Sequence, residues 1–326
     1  MMRNSTDFPA DQGAARPRLP RLFRGAALLG LLLCGLLTAP SLRAQSRASD
    51  PELAGALSLL LPGIGQYYIG QPVAGTVYLG TYLGLASQYY TGTEDPDYIK
   101  PQDREDTLTN TYLMNRHTFE TDLYGYTAQN LNFYSAFAAY RDARLEGGNR
   151  GAYSTNMPDE GLGDLVLAPF NPEYMLRPGT FLPLLLPLYV ASLPADREAP
   201  VYAPDNTITL TEMRRGFFFM HYGVAIGEEA LFRGYFNNGL SDWMGEGWGL
   251  VTSSLIFGLA HTGTAGQATA AGATVFGLYT GWLQQSNDYS ISQGVALHFW
   301  WNFLSSIITT KERGNLTVEL PLFFTF

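Results

Sequence analysis

Cysteine is almost missing from this chain. Cys34 is the only one in 326 residues, and it lies in an apolar run near the N-terminus. Downstream there can be no disulfide, thiolate nucleophile or Cys-based zinc site, which excludes several enzyme classes. Histidine is scarce too: His117, His221, His261 and His298 are the full set. Charged residues make up only 15% of the chain, and the net charge is -9. With no basic cluster beyond the N-terminus, a nucleic-acid partner is excluded. The mean hydropathy of -0.04 looks too polar for a membrane protein. That average is diluted, because polar stretches at 91–122 and 141–164 alternate with strongly apolar segments.

The first 44 residues have the pattern of an export signal or an N-terminal anchor. Arg16, Arg18, Arg21 and Arg24 form a basic region, residues 25–37 an apolar one, and Ser41-Leu-Arg-Ala44 a cleavage site. Lipoprotein processing at Cys34 is disfavoured by the bulk of Leu33 and by the apolar run continuing past it. These features predict targeting to a bacterial inner membrane, and the apolar segments downstream predict that the chain crosses it several times.

Residues 45–150 read as a membrane module with a polar loop. Two apolar segments, 53–69 and 72–87, flank Pro62-Gly-Ile-Gly-Gln-Tyr-Tyr68, where proline and paired glycines predict a short helical hairpin. Gly75, Gly80 and Gly84 suit close helix approach. The segment resembles small two-helix bacterial membrane modules with a Pro-Gly-x-Gly-Gln-x-Tyr turn, a likeness that implies packing rather than chemistry. Acidic residues 91–122 read as a loop outside the membrane, and tyrosine-rich 123–140 as a span or an interfacial helix. Gly/Asn/Asp-rich residues 147–163 mark a boundary. From 165 to 312, closely spaced apolar segments predict an all-α polytopic membrane bundle. One of them, 181–193, is kinked by Pro183 and Pro187. Residues 313–326 are a tail that alternates like a strand. The long apolar segments upstream argue against an outer-membrane barrel.

Three patterns put proton-handling side chains into this apolar background: Glu228-Glu229-Ala-Leu-Phe-Arg233, Phe257-Gly-Leu-Ala-His261 and His298-Phe-Trp-Trp-Asn302. A charged group inside a membrane costs at least ~2.5 kcal/mol, so such insertions mark function. Glu229 and Arg233 are four apart on one helix face and can pair as a structural device. Glu228, about 100° around the helix, is left to face another cavity. A buried carboxylate without a cationic partner suits proton transfer to or from water. His298 and Asn302, one turn apart, can donate two hydrogen bonds to an oxyanion or clamp two helices together. His261 alone reads as a core histidine. As a set, one free carboxylate, two imidazoles and one amide on three helices can activate water and stabilise a tetrahedral intermediate. His221, seven residues before Glu228, reads as a packing residue.

In this order, Glu-Glu-x-x-x-Arg, Phe-x-x-x-His and His-x-x-x-Asn resemble the CPBP family, over roughly residues 176–310. That family comprises type II CAAX prenyl proteases and bacteriocin-processing and immunity proteins. The resemblance implies an intramembrane endopeptidase in which Glu228 and His261 activate the attacking water. His298 and Asn302 would form the oxyanion hole, with Glu229 and Arg233 in support. It implies a membrane-associated protein or peptide as substrate, and the bacterial signal features argue against a farnesylated one. No metal is expected. If zinc binds, Glu228, His261 and His298 supply the ligand count of a catalytic site, although no His-Glu-x-x-His is present. The alternatives are a membrane scaffold or immunity protein of the same fold, and a transporter, against which the absence of an inverted repeat argues. Serine-type proteolysis is disfavoured, because no Gly-x-Ser motif precedes Ser254.

Overall fold

Prolines, glycines and side-chain caps set where the helices begin and end. A computed structural model describes residues 49–106, 111–146, 153–192, 201–262 and 267–310. The expected signal segment and the strand-like tail lie outside them. Helix α1 (Pro51–Leu60) starts with proline in its first turn and with the Asp50 side chain accepting from the Leu53 N–H. It stops at Pro62-Gly63, where Gly63 takes φ +93 and passes so close to Gly75 that a Cβ would meet the Gly75 carbonyl oxygen at 2.2 Å. Helices α2 (Ile64–Tyr68) and α3 (Pro72–Thr93) follow. The first apolar segment is thus two helices rather than one arm of a hairpin.

The stretch expected to be a loop, 91–122, is largely structured. α3 runs into it. It then holds strands β1 (Glu105–Asp106) and β2 (Thr111–Met114) and the start of α4 (Arg116–Glu146). β1 pairs antiparallel with β2, and β2 pairs in parallel with β3 (Val201–Pro204). The fold is therefore mostly helical with a small three-stranded sheet. That sheet escaped detection because β2 and β3 are four residues each and some 90 residues apart in sequence.

Short helices α5 (Leu162–Leu167) and α6 (Pro172–Met175) lead to α7 (Pro178–Ser192), which holds Pro183 and Pro187 inside it. Next come α8 (Leu210–Glu228), a π-helical stretch Glu229–Asn237, and α9 (Asn238–Met244). Then follow α10 (Glu246–Ala260), α11 (Gln267–Ser286) and α12 (Ser292–Thr309).

Parallel strands β2 and β3 feed the parallel helices α4 and α8. Gly216, Gly227 and Gly234 lie against Phe119, Asn130 and Phe137, so each contact joins residues 97 positions apart. Helix α4 runs in constant register beside α8 and the π-helical stretch Glu229–Asn237 that continues it, and the glycines let the backbones approach. At Gly227 a Cβ would lie 2.5 Å from Asn130 Oδ1. The core joins both halves of the chain: Tyr78, Tyr134 and Phe137 pack with Ala225, Ile226, Val295 and Phe299.

The expected membrane spans do not appear in the anticipated form. Among the described residues, no helix is long and apolar enough to cross a membrane. α7 and α10 are 15 residues each, and α8 carries Glu212, Arg214, Arg215 and Glu228. α3 is 22 residues long but dilutes its apolar content with Tyr, Thr and Gly.

Candidate active site

Glu228 is the last residue of α8, a helix started by a capping box. The Thr209 hydroxyl accepts from the Glu212 N–H at 3.2 Å, while the Thr209 N–H donates to Glu212 Oε2 at 2.9 Å. Immediately after Glu228 the helix widens into its π stretch, a form rare in proteins and frequent at functional sites. A buried amide network accompanies the widening. Gln284 Nε2 donates to the Arg233 carbonyl at 2.9 Å, and Asn237 Nδ2 donates to Gln284 Oε1 at 2.6 Å. Widening leaves Glu229 and Arg233 on one side, with Arg233 Nε 3.3 Å from Glu229 Oε2.

His261 caps the C-terminus of α10. Its Nδ1 bonds the Phe257 carbonyl at 2.6 Å, which fixes the ring and turns Nε2 inward, 3.9 Å from Glu228 Oε2. Phe257 has a second task, because its ring lies under the Arg233 guanidinium, 4.2 Å from the centroid. The aromatic residue of the Phe-x-x-x-His pattern thus seats both a histidine and an arginine from a different helix. Neither contact could be read from spacing.

On α12, His298 Nδ1 donates to Glu229 Oε1 at 2.8 Å, and its Nε2 lies 3.7 Å from Glu228 Oε2. Glu229 therefore does more than hold Arg233: it orients the imidazole that faces Glu228. Both imidazoles commit Nδ1 to an acceptor and direct Nε2 at the same carboxylate oxygen. Separations of 3.7 and 3.9 Å are too long for direct hydrogen bonds and suit bridging by water. Asn302 follows His298 one turn later, 1% exposed, and neither of its side-chain polar atoms has a partner among the described residues.

The structure thus gathers Glu228, His261 and His298, together with Glu229 and Arg233, and leaves Asn302 on the His298 helix with its amide uncommitted. His221 stays outside this cluster. It stacks on Phe217 and bonds the Ser306 hydroxyl. One supporting residue was missed entirely. α12 has no side-chain cap of its own, yet Glu160 accepts from Ser290 Oγ, from the Ile291 N–H at 2.9 Å and from Ser292 Oγ. A carboxylate from 130 residues upstream thereby caps the helix bearing His298 and Asn302. Only the pair of serines beside the helix start hinted at it.

A metal ion fits poorly. Tetrahedral zinc brings its ligand atoms within roughly 3.3 Å of one another, and the Glu228 oxygen lies farther than that from both Nε2 atoms. No group of three or more His, Cys, Asp or Glu among the described residues is arranged to hold a metal.

Residues 214–304 match the family model described as type II CAAX prenyl endopeptidase Rce1-like. None of the curated proteins and none of the solved structures compared with the chain matches it. The matched stretch contains Glu228, Glu229, Arg233, His261, His298 and Asn302. Over residues 214–304 the chain is therefore similar to the CAAX-protease-like family of peptidases.

Proposed function

We propose that this protein is an intramembrane endopeptidase that cleaves a membrane-associated protein or peptide with a water activated by Glu228 and His261. One observation carries the reading: the Glu228 carboxylate oxygen sits between two inward-facing imidazole nitrogens, at 3.9 and 3.7 Å. A water bridging them gives its proton to the carboxylate as its oxygen attacks the scissile carbonyl. The tetrahedral oxyanion then falls to the Asn302 amide and to His298. Glu229 and Arg233 hold His298 in place, as a carboxylate behind a histidine does in other hydrolytic sites. No step needs a metal.

Membrane embedding is supported by large apolar side chains facing outward. Phe181, Leu182, Leu185 and Leu186 on α7, Leu259 on α10 and Val275 on α11 are all about half exposed or more. A packing or immunity role without hydrolysis is the second reading, favoured only in that His298 bonds Glu229 across two helices.

The test is a comparison of membrane proteomes from cells carrying the wild-type protein or Glu228→Ala at matched abundance. The proposal expects one or more membrane proteins to accumulate uncleaved in the variant. Identical proteomes, with every phenotype following protein level, would favour the packing role.

A further inference from the structure

Beyond the site itself, several of the buried polar atoms without hydrogen-bond partners among the described residues follow a line. On α8, Arg214, His221 and Glu228 recur every seven residues and so share a face. On α12, Asn302 and Ser306 lie four apart, and Thr310 follows the end of the helix. The two helices pack against each other, and these residues meet in pairs along the seam. Arg214 donates to the Thr310 carbonyl at 3.3 Å, and His221 bonds Ser306. Glu228 stands beside His298, one turn from Asn302. Arg214 Nε, His221 Nδ1, Glu228 Oε2 and both polar atoms of Asn302 are buried with no hydrogen-bond partner among the described residues. Buried polar groups are otherwise almost always satisfied, by protein or by ordered water.

The outer end of the line is polar. Arg214 is half-buried beside the sheet, where Arg116 pairs with Glu212 at 2.9 Å and bonds the Thr207 backbone. The inner end is the candidate catalytic carboxylate, about 21 Å away along the helix. Hydrolysis consumes a water at each turnover, and the catalytic groups are almost wholly enclosed.

We propose that the α8–α12 seam is a water path from the sheet end of the molecule to Glu228, with Arg214, His221 and Ser306 as its intermediate stations. Phe217 and Val224 lie on the same face of α8 between the stations, so water passes in single file rather than through an open channel. His221 is a positioning residue for the water, through the ring nitrogen that Ser306 leaves uncommitted. The purpose of the path rests on the peptidase reading; its existence does not.

The test uses the full-length protein in detergent, with X-ray pulse radiolysis in 18O-labelled water and mass-spectrometric readout. Ring oxidation at His221 and Phe217, 5% and 6% exposed, should exceed that at Tyr134 and Tyr78, which are as enclosed but lie on α4 and α3, off the seam. Replacing His221 with the apolar, space-filling residue, His221→Phe, should abolish the excess. His221→Gln, which keeps a polar station, should retain it. With a cleavable peptide, His221→Phe should lower kcat about tenfold at unchanged KM and unchanged folded fraction. Labelling no faster at His221 and Phe217 than at Tyr134 and Tyr78 would overturn the path, whatever the enzyme does. A His221→Phe variant with normal kcat per folded molecule would overturn the path's role in supplying the catalytic water. Rapid labelling in a protein that hydrolyses nothing would keep the path and sink the peptidase reading.

Discussion

Buried polar groups around Glu228 and along α8 and α12 are treated differently from those of the α1–α4 half. In the α1–α4 half, Gln66 is enclosed and committed. Its oxygen accepts from Ser58 and Ser135 at 2.8 and 3.2 Å, and its nitrogen donates to the Ser135 carbonyl at 2.9 Å. Arg144, also buried, bonds Tyr140, Thr155 and Asp242. In the α8–α12 half, Glu228, Arg233, Asn302 and His221 each keep at least one buried polar atom without a hydrogen-bond partner among the described residues. A satisfied buried network fixes one packing, whereas unsatisfied groups in an ordered core are tolerated where a ligand, water or reacting atom meets them. Asn130 and Asn132 on α4 are exceptions, and Asn130 lies against Gly227, next to Glu228.

Substitutions on the two sides should therefore fail differently. The largest effect is expected from Glu228→Gln, which keeps size and hydrogen bonding but cannot act as a base. Turnover in detergent should fall ~10²–10⁴-fold with no change in thermal stability. Near-normal turnover would remove Glu228 from the chemistry.

Arg233→Ala straddles the comparison. Removing one partner of a buried ion pair costs ~3–5 kcal/mol, so melting temperature and abundance should fall along with activity. An inactive but fully stable variant would mean that Arg233 contacts substrate instead.

Gln66→Leu tests the committed half alone. It strands the polar groups of Ser58 and Ser135 and should cost ~1–3 kcal/mol of stability, read by thermal unfolding. Turnover per folded molecule should stay at the wild-type level, and a drop in kcat would tie the hairpin to the chemistry. The smallest effect is expected from chelators, which should leave activity in detergent largely intact. Stoichiometric zinc in the purified protein, with activity lost on its removal and restored on its return, would overturn the metal-free account.

Much of the catalytic half was legible in advance because its signals are local. Four-residue spacings on one helix place Glu229 beside Arg233 and His298 above Asn302 regardless of tertiary structure. The long-range contacts were not legible. Glu229 reaches His298 across 69 positions, Glu160 caps α12 from 131 positions before Ile291, and β2 finds β3 at the far side of the chain. No periodicity encodes such pairings. The π stretch was hidden for a related reason: its Arg233 carbonyl is met by Gln284, which lies on α11. Membrane spans were overestimated where apolar character was concentrated in aromatic and small residues on short or charged helices, as in α7, α8 and α10.

Asn302→Ala tests most directly whether an unsatisfied buried group in this half serves chemistry rather than packing. Its amide has no partner to lose, so truncation should leave thermal stability and membrane abundance at wild-type levels. Removing an oxyanion donor should lower kcat ~10²–10³-fold while KM changes little. Steady-state kinetics on equal amounts of folded protein supply the answer. A kcat within a factor of about two of wild type, or a deficit that vanishes once folded protein is equalised, would contradict the account.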